Sequence, residues 1–425
     1  FPPRRNLGQS SIDARGGSFI RSSFFEGYDA RFRVLFYGRM FAAMGWSLSM
    51  PFLAIYMSQD LHIDAALVTL AYTIAAIFGA LSQIISGELA DRLGRRITLL
   101  TSMAIRTGVF VLIAIAVQFS LGFLSIAVLM CASSVSGNMF MPAANAMIAD
   151  IVPANKRVEG FSITRIGANI GWAIGPAMGG FSSQFLSYPI TFMITSILSA
   201  IVLVLVFLYA PESHTKGTTE KFRLKDIAGI RRDKDFMLYS IITIFAGILY
   251  MQMIATLSIY TQEFTPWITK DLLGIVYALN GVLVVFLQFP VTRLLSRYRL
   301  TSMLVLGTLL YCVGYFSVAF ADTFGLLLIS MTVITLAEIV ASPPSLTIVS
   351  NMAPSHKRGQ YMGVYGLFDA FGGSFGPLVG GIAIDAFPGQ PIIIWTIPCL
   401  FGIVAIVGFF LLGRRLKAEV NAGSL

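Results

Sequence analysis

Gly87-Glu88-Leu89-Ala90-Asp91-Arg92-Leu93-Gly94-Arg95-Arg96 is a dense charged knot set between two long apolar runs. Each run is long enough to cross a bilayer, so the knot is expected to form a tight loop between two membrane helices. Gly87 and Gly94 lack a Cβ, which lets the first helix end sharply and the chain turn back within about one helical turn. Asp91 sits at the centre, with Arg92, Arg95 and Arg96 close enough in sequence to compete for it. A carboxylate beside guanidinium groups at a membrane edge can form forked, charge-assisted hydrogen bonds with one arginine or another, which suits a latch with two settings. The plainer reading is a short basic loop that only fixes topology.

The 425 residues are 56% hydrophobic and 12% charged, against about 25% charged in soluble domains. That balance identifies an all-α integral membrane protein. Cys131, Cys312 and Cys399 all fall inside apolar runs, where a thiol behaves as a small hydrophobe. Neither a disulfide framework nor a zinc cluster is implied, and no metal or cofactor is expected. The net charge of +9 would suggest nucleic acid in a soluble protein, but in a membrane protein it must first be sorted by loop.

Residues 1–33 carry Arg4, Arg5, Arg15, Arg21, Arg31 and Arg33 among serines and glycines, and read as a cytoplasmic lead. An Arg- and Ser-rich, acid-poor start also fits a transit peptide. Twelve apolar stretches follow, near 34–57, 65–87, 97–118, 121–150, 158–183, 189–210, 237–262, 270–292, 300–320, 323–350, 359–384 and 391–413. Arginine and lysine gather in the loops after the even-numbered stretches and in both tails, while the opposite loops hold only Lys270. The positive-inside rule then puts both termini and the even loops in the cytoplasm, with the protein in the plasma (inner) membrane. The basic excess is topological, so nucleic acid is not an expected partner. Residues 211–236 form a charged cytoplasmic linker that divides the chain into six-helix bundles at 34–210 and 237–413, with a tail at 414–425.

An internal repeat supports that division. Gly175-Pro176-Ala177-Met178-Gly179-Gly180 recurs as Gly376-Pro377-Leu378-Val379-Gly380-Gly381, a shift of 201 positions. The same shift carries Pro142 to Pro343, Pro153 to Pro354, Lys156 to Lys357 and Arg157 to Arg358. Two parallel six-helix repeats place a substrate path at their interface near the bilayer midplane. In helix 5, Gly167, Gly171, Gly175, Gly179 and Gly180 leave one face bare, and Pro176 frees a carbonyl. Such a face serves close packing, or a seam that seals and rocks during gating. Helix 11 repeats it with Gly376, Pro377, Gly380 and Gly381.

On these residues the chain resembles the major facilitator superfamily over its membrane portion, and within it the drug:proton antiporter branch. Gly87 to Arg96 is similar to the signature loop between helices 2 and 3, and the helix 5 glycine-proline seam to the pattern of its antiporters. The resemblance implies a twelve-helix fold, alternating access, proton coupling, and a cavity lined by helices 1, 4, 7 and 10. Two departures stand out. Ser133, four residues before Gly137, occupies the place where the branch often carries an arginine, and the loop around Arg293 to Arg299 lacks the aspartate and glycines of its first-half mate.

Five charges fall inside the membrane: Arg39, Arg106, Arg165, Glu338 and Asp369. Each costs at least about 2.5 kcal/mol at mid-helix unless paired or hydrated. Arg39 is near enough to the cytoplasmic end of helix 1 to snorkel. Arg106 and Arg165 are deeper, and either could replace the missing helix 4 arginine. Glu338, near the middle of helix 10, is the leading proton-coupling carboxyl. The repeat maps it to Gly137, beside Asn138, so Glu338 and Asn138 are expected to face each other. Asp369 either joins the coupling or neutralises an arginine. Trp46, Tyr250 and Met253 join Arg39, Asn138 and Glu338 as candidate cavity liners, since aromatic faces attract lipophilic cations and methionine adapts to varied shapes.

The function expected is monomeric secondary transport, with export of small amphipathic compounds in exchange for protons. A proton-coupled permease for a sugar, peptide, metabolite or lipid is the alternative, and a non-transporting receptor the remoter one. No enzyme is expected: the chain has no His-Glu-x-x-His pair, no Gly-x-Ser-x-Gly elbow and no phosphate loop.

Overall fold

The computed structural model describes Phe25 and residues 28–153, 156–213, 230–354 and 357–422, except the side chains of Ile84, Asp91, Val158 and Gly359. Most of the 1–33 lead and of the 211–236 linker lies outside the described residues.

Every expected apolar stretch is helical. The first half comprises α1 (Ala30–Ile55), α2 (Ala65–Leu93), α3 (Arg95–Gln118), α4 (Phe123–Ile151), α5 (Arg157–Phe185) and α6 (Tyr188–Tyr209). The second comprises α7a (Lys234–Tyr250), α7b (Thr256–Phe264), α8 (Lys270–Leu295), α9 (Leu300–Val318), α10 (Phe324–Met352), α11 (Arg358–Ala386) and α12 (Pro391–Arg415). A short α13 (Ala418–Asn421) follows. Eleven described helices are long and apolar enough to span a membrane. Helix α5, rich in glycine and polar residues, is as long as α4 but falls short in hydropathy. Large apolar side chains such as Leu124, Phe286 and Phe289 point outward, more than two thirds exposed, a surface that only lipid covers at low cost.

The repeat seen in sequence is an architectural register. Shifting α4 and α5 by 201 reproduces the ends of α10 and α11. Local signals set several starts: Asp29 accepts from Arg31 N (2.8 Å) at the head of α1, and Asp233 from Phe236 N (3.1 Å) at the head of α7a. Between α7a and α7b a 3₁₀ turn, Met251–Met253, interrupts the helix. Buried Gln252 holds that break together, donating to the Ile248 (2.6 Å) and Gly376 (2.7 Å) carbonyls and accepting from Thr256 Oγ1 (2.8 Å).

Within each half the glycine seam does what a bare face permits. A Cβ on Gly175 would stand 2.5 Å from the Met44 carbonyl oxygen, and one on Gly171 2.8 Å from Met44 N, so α5 lies backbone to backbone on α1. Gly372 and Gly376 bring α11 equally close to α7a. The halves meet through α5 against α8 and α2 against α11. Their hydrogen bonds sit at the end opposite the basic loops: Gln59 Nε2 to Gln262 O (2.8 Å), Thr73 Oγ1 to Ser374 O (2.7 Å), Lys270 N to Gln184 Oε1 (3.4 Å), and Ala65 and Ala66 N to Asp385 (3.0 and 2.7 Å). Toward the basic loops, Gly87, Gly363 and Gly366 face open space. Among the described residues, these hydrogen bonds between the halves gather at the end opposite the basic loops.

Candidate functional site

Midway along α10, Glu338 reaches into a cavity of about 130 Å³ between the halves. Asn169 and Trp172 of α5 form one wall; Met253 of the 3₁₀ turn and Asn280, Gly281 and Val284 of α8 form the other. Asn280 Nδ2 donates to Glu338 Oε2 (3.0 Å) and to Thr335 Oγ1 (3.1 Å), fixing the carboxylate against α8. The positive charge of exposed Arg165, on α5, acts on Glu338 from across the interface. Trp46 lies behind this wall, its ring centroid 5.3 Å from that of Trp172. A carboxylate, two amides, a thioether and an indole thus converge on one water-sized to amine-sized space at the bundle's middle.

The other expected residues divide. Met253 lines the cavity, and Trp46 supports it through Trp172. Asn138 does not face Glu338: its amide donates to Ser134 O in its own helix (3.0 Å) and packs where a Cβ on Gly79 would stand. Adjacent helical residues point about 100° apart, so the mate of Glu338 is Gly137 alone, and that glycine is covered by Arg106. A Cβ on Gly137 would lie 3.1 Å from Arg106 Nη1. Arg106 is 3% exposed, donates to Ala42 O (3.2 Å) and lies 5.7 Å from the Phe110 ring centroid. The 201 shift takes Arg106 to Gly307 and Gly137 to Glu338, so the ionic side chain rises from the third helix in one half and from the fourth in the other. Of the two arginines considered for the missing helix 4 cation, Arg106 is the one lying against α4.

Arg39 is spent inside the first half, donating to Thr164 Oγ1 (2.8 Å) and Asn145 Oδ1 (2.8 Å), and is not among the residues around the midplane cavity. Asp369 accepts from Tyr250 OH (3.1 Å), so the partner found for it is a phenol and not an arginine, and Tyr250 is turned toward that acid. The intramembrane charges are segregated: Arg39, Arg106 and Arg165 belong to the first half, Glu338 and Asp369 to the second.

The charged knot is less of a loop than expected. Helix α2 runs through Gly87 to Leu93, and Gly94 alone breaks it, at φ +105° and ψ 155°. That is a region essentially reserved for glycine. The side chain of Asp91 lies outside the described residues. Each arginine has a partner within its own half: Arg92 pairs with Glu88, Arg95 Nε lies 3.5 Å from Asp150 Oδ2, and Arg96 Nη2 donates to Phe207 O (2.8 Å). Glu212, just past α6, accepts from Arg95 N (3.0 Å) and Arg96 N (3.1 Å), so it caps α3 and ties the start of the linker to the knot.

The model of the major facilitator superfamily matches residues 35–267 and 257–424. The chain belongs to that superfamily. Among relatives of the superfamily member described here, a Na(+), Li(+), K(+)/H(+) antiporter of Planococcus maritimus is 25% identical over 91% of this chain and 98% of its own. The multidrug resistance protein MdtH of Klebsiella pneumoniae (strain 342) is 25% identical over 91% and 94%. In fold, the transporter resembles a bacterial homologue of the human lysosomal transporter Spinster, in an inward-facing and occupied conformation, with a TM-score of 0.76 at 14% identity over 93% and 98% of the two chains. This superfamily transporter is a multi-pass integral membrane protein whose substrate is a small molecule.

Proposed function

We propose that this protein is a proton-coupled antiporter that exports small amphipathic cations by alternating access, with Glu338 as the group for which proton and cargo compete. The observation that carries the reading is the placement of Glu338: one carboxyl at the meeting of the halves, held by Asn280, within reach of Arg165's charge, and walled by Trp172 and Met253. Cargo with a positive charge and an apolar body satisfies both walls, and protonating the acid removes its hold. The basic loops lie at the end away from the bonds that join the halves, which supports an inward-facing conformation with both termini cytoplasmic, in the plasma (inner) membrane. Exchange of one proton for one monovalent cation moves no net charge, so the pH gradient drives export, at about 1.4 kcal/mol per pH unit. The working unit in this reading is a monomer. Glu338→Gln is expected to abolish pH-driven uptake of a lipophilic cationic dye into inverted vesicles while exchange of preloaded dye persists. Unchanged pH-driven uptake removes Glu338 from the mechanism.

A second reading makes the cargo a monovalent metal cation. It is favoured by the Glu338 carboxylate at a cavity of only about 130 Å³, and by similarity to the Planococcus maritimus antiporter. Sodium-gradient-driven proton movement in dye-free liposomes distinguishes it.

A further inference from the structure

The end of the bundle opposite the basic loops has two corners related by the internal repeat. At one, Gly180 of α5 packs on the start of α8, where its Cβ would stand 3.0 Å from Asp271 Cα. At the other, Gly381 of α11 packs on the start of α2, where its Cβ would stand 2.6 Å from the Ala65 carbonyl oxygen. Gly180 and Gly381 are 201 positions apart, and so are the side chains one turn further on, Gln184 and Asp385.

Both corner helices lack a cap of their own. Asp64 precedes α2 and Thr269 precedes α8, yet neither side chain bonds the helix it introduces. The cap comes from the other half of the molecule. Gln184 Oε1 accepts from Lys270 N at 3.4 Å; Asp385 accepts from Ala65 N at 3.0 Å through Oδ1 and from Ala66 N at 2.7 Å through Oδ2. The two latches share a position and differ in chemistry. A carboxylate on a helix N-terminus gains from the partial positive charge of the exposed amides, and a neutral amide gains far less.

We propose that Asp385 is a proton-operated latch of the outer gate. Ionised, it ties α11 to α2 and holds the outer face shut; protonated, it loses its charge and one of its two acceptor positions, and this corner releases. Gln184 is the constant latch at the opposite corner. The groups that share the Asp385 corner are Glu263 on α7b, which feels its negative charge, Asp64 at the head of α2, and His62 in the turn before it. The α11–α12 turn and the start of α12, Phe387 to Trp395, contribute no charged residue. Carboxyls at the outer rim meet the external solution first, so external acid opens the face from which protons enter. The proposal rests on the alternating-access reading but not on the role given to Glu338.

The test measures distance, not transport. Spin labels placed by Phe119→Cys and Phe320→Cys, exposed at the same face on opposite halves, report the outer opening in a background lacking the three native cysteines. The background also carries Glu338→Gln, so any remaining pH response arises elsewhere. Lowering pH from about 7.5 to about 3, below the ordinary aspartate value of about 3.9, is expected to convert a short separation into a longer one. Asp385→Asn is expected to give the longer separation at both pH values, and Gln184→Glu to enlarge the pH-dependent change. A full pH response retained in Asp385→Asn overturns the proposal. If Asp385→Asn does not fold, an unaltered response in Gln184→Glu overturns it instead. Loss of dye transport in Glu338→Gln alone bears on the antiport reading and leaves this result untouched.

Discussion

Replacing Gly281 by alanine tests whether the contact between the halves is as close as the structure has it. An ideal Cβ there stands 2.5 Å from Ala173 N and 2.9 Å from Ala173 Cβ. Both atoms belong to the rigid stem of α5, so no flexible side chain can swing away. Carbon contacts are comfortable from about 3.5 Å, so α8 and α5 must part by about 1 Å or the conformation must be abandoned. Overpacking of this kind costs about 1–3 kcal/mol. At about 1.4 kcal/mol per tenfold, that shifts the balance of closed and open outer gates by roughly 5- to 150-fold. The assay places Val284→Cys in the cavity of a cysteine-free chain and follows its alkylation by an impermeant maleimide applied outside cells. Gly281→Ala is expected to raise that rate at least severalfold. Gly363→Ala, whose new methyl meets open space, is expected to leave it unchanged. An unaltered rate in folded Gly281→Ala protein refutes the packing argument.

Two further outcomes are expected. Gly94→Ala forces a side chain into φ +105° and within 2.9 Å of Glu212 Cδ, and should cost about 1–3 kcal/mol of stability, read as a lower thermal midpoint that Glu212→Ala restores only in part. The hydrogen bonds from the Arg31 side chain, with that from its backbone, hold the Asp29 carboxyl below the usual aspartate range. The stability it lends the first turn of α1 is therefore present above about pH 4 and lost as pH falls through the lowered value. The protection factors of the Arg31 and Phe32 amides, taken relative to the acid-slowed intrinsic exchange rate, should fall over that interval, and equally low protection in Asp29→Asn at pH 7 is the matching check.

What could be read from the chain was whatever repeats or costs energy in lipid. Gly175-Pro176 and Gly376-Pro377 carried the register that the ends of α4, α5, α10 and α11 reproduce, because glycine spacing and loop charge are both one-dimensional. Glu338 was visible because an acid in an apolar run demands a reason. Its neighbours were not, since which side chains meet depends on helical phase and on which helices touch. Asn138 was placed one residue out of phase and turned to Gly79 instead. Asn280 and Trp172 were missed, although Asn280 has Gly79 as its repeat mate, a polar-for-glycine exchange parallel to Glu338 for Gly137. Glu212 and Asp150 lie far along the chain from the knot they hold. The break in the seventh helix follows from Gln252 bonding across to Gly376 O, with no proline or glycine at 251–255 to announce it.

The separation of intramembrane cations into one half and intramembrane acids into the other gives the bundle an electrical asymmetry. When the halves tilt against each other, Arg39, Arg106 and Arg165 travel as one charged body, and Glu338 and Asp369 as another of opposite sign. A membrane potential therefore does work on the tilt itself, in proportion to the fraction of the field each charge crosses, up to about 2.3 kcal/mol per charge per 100 mV. Binding a proton at either acid changes how much charge the second half carries, so voltage and pH act on the same motion.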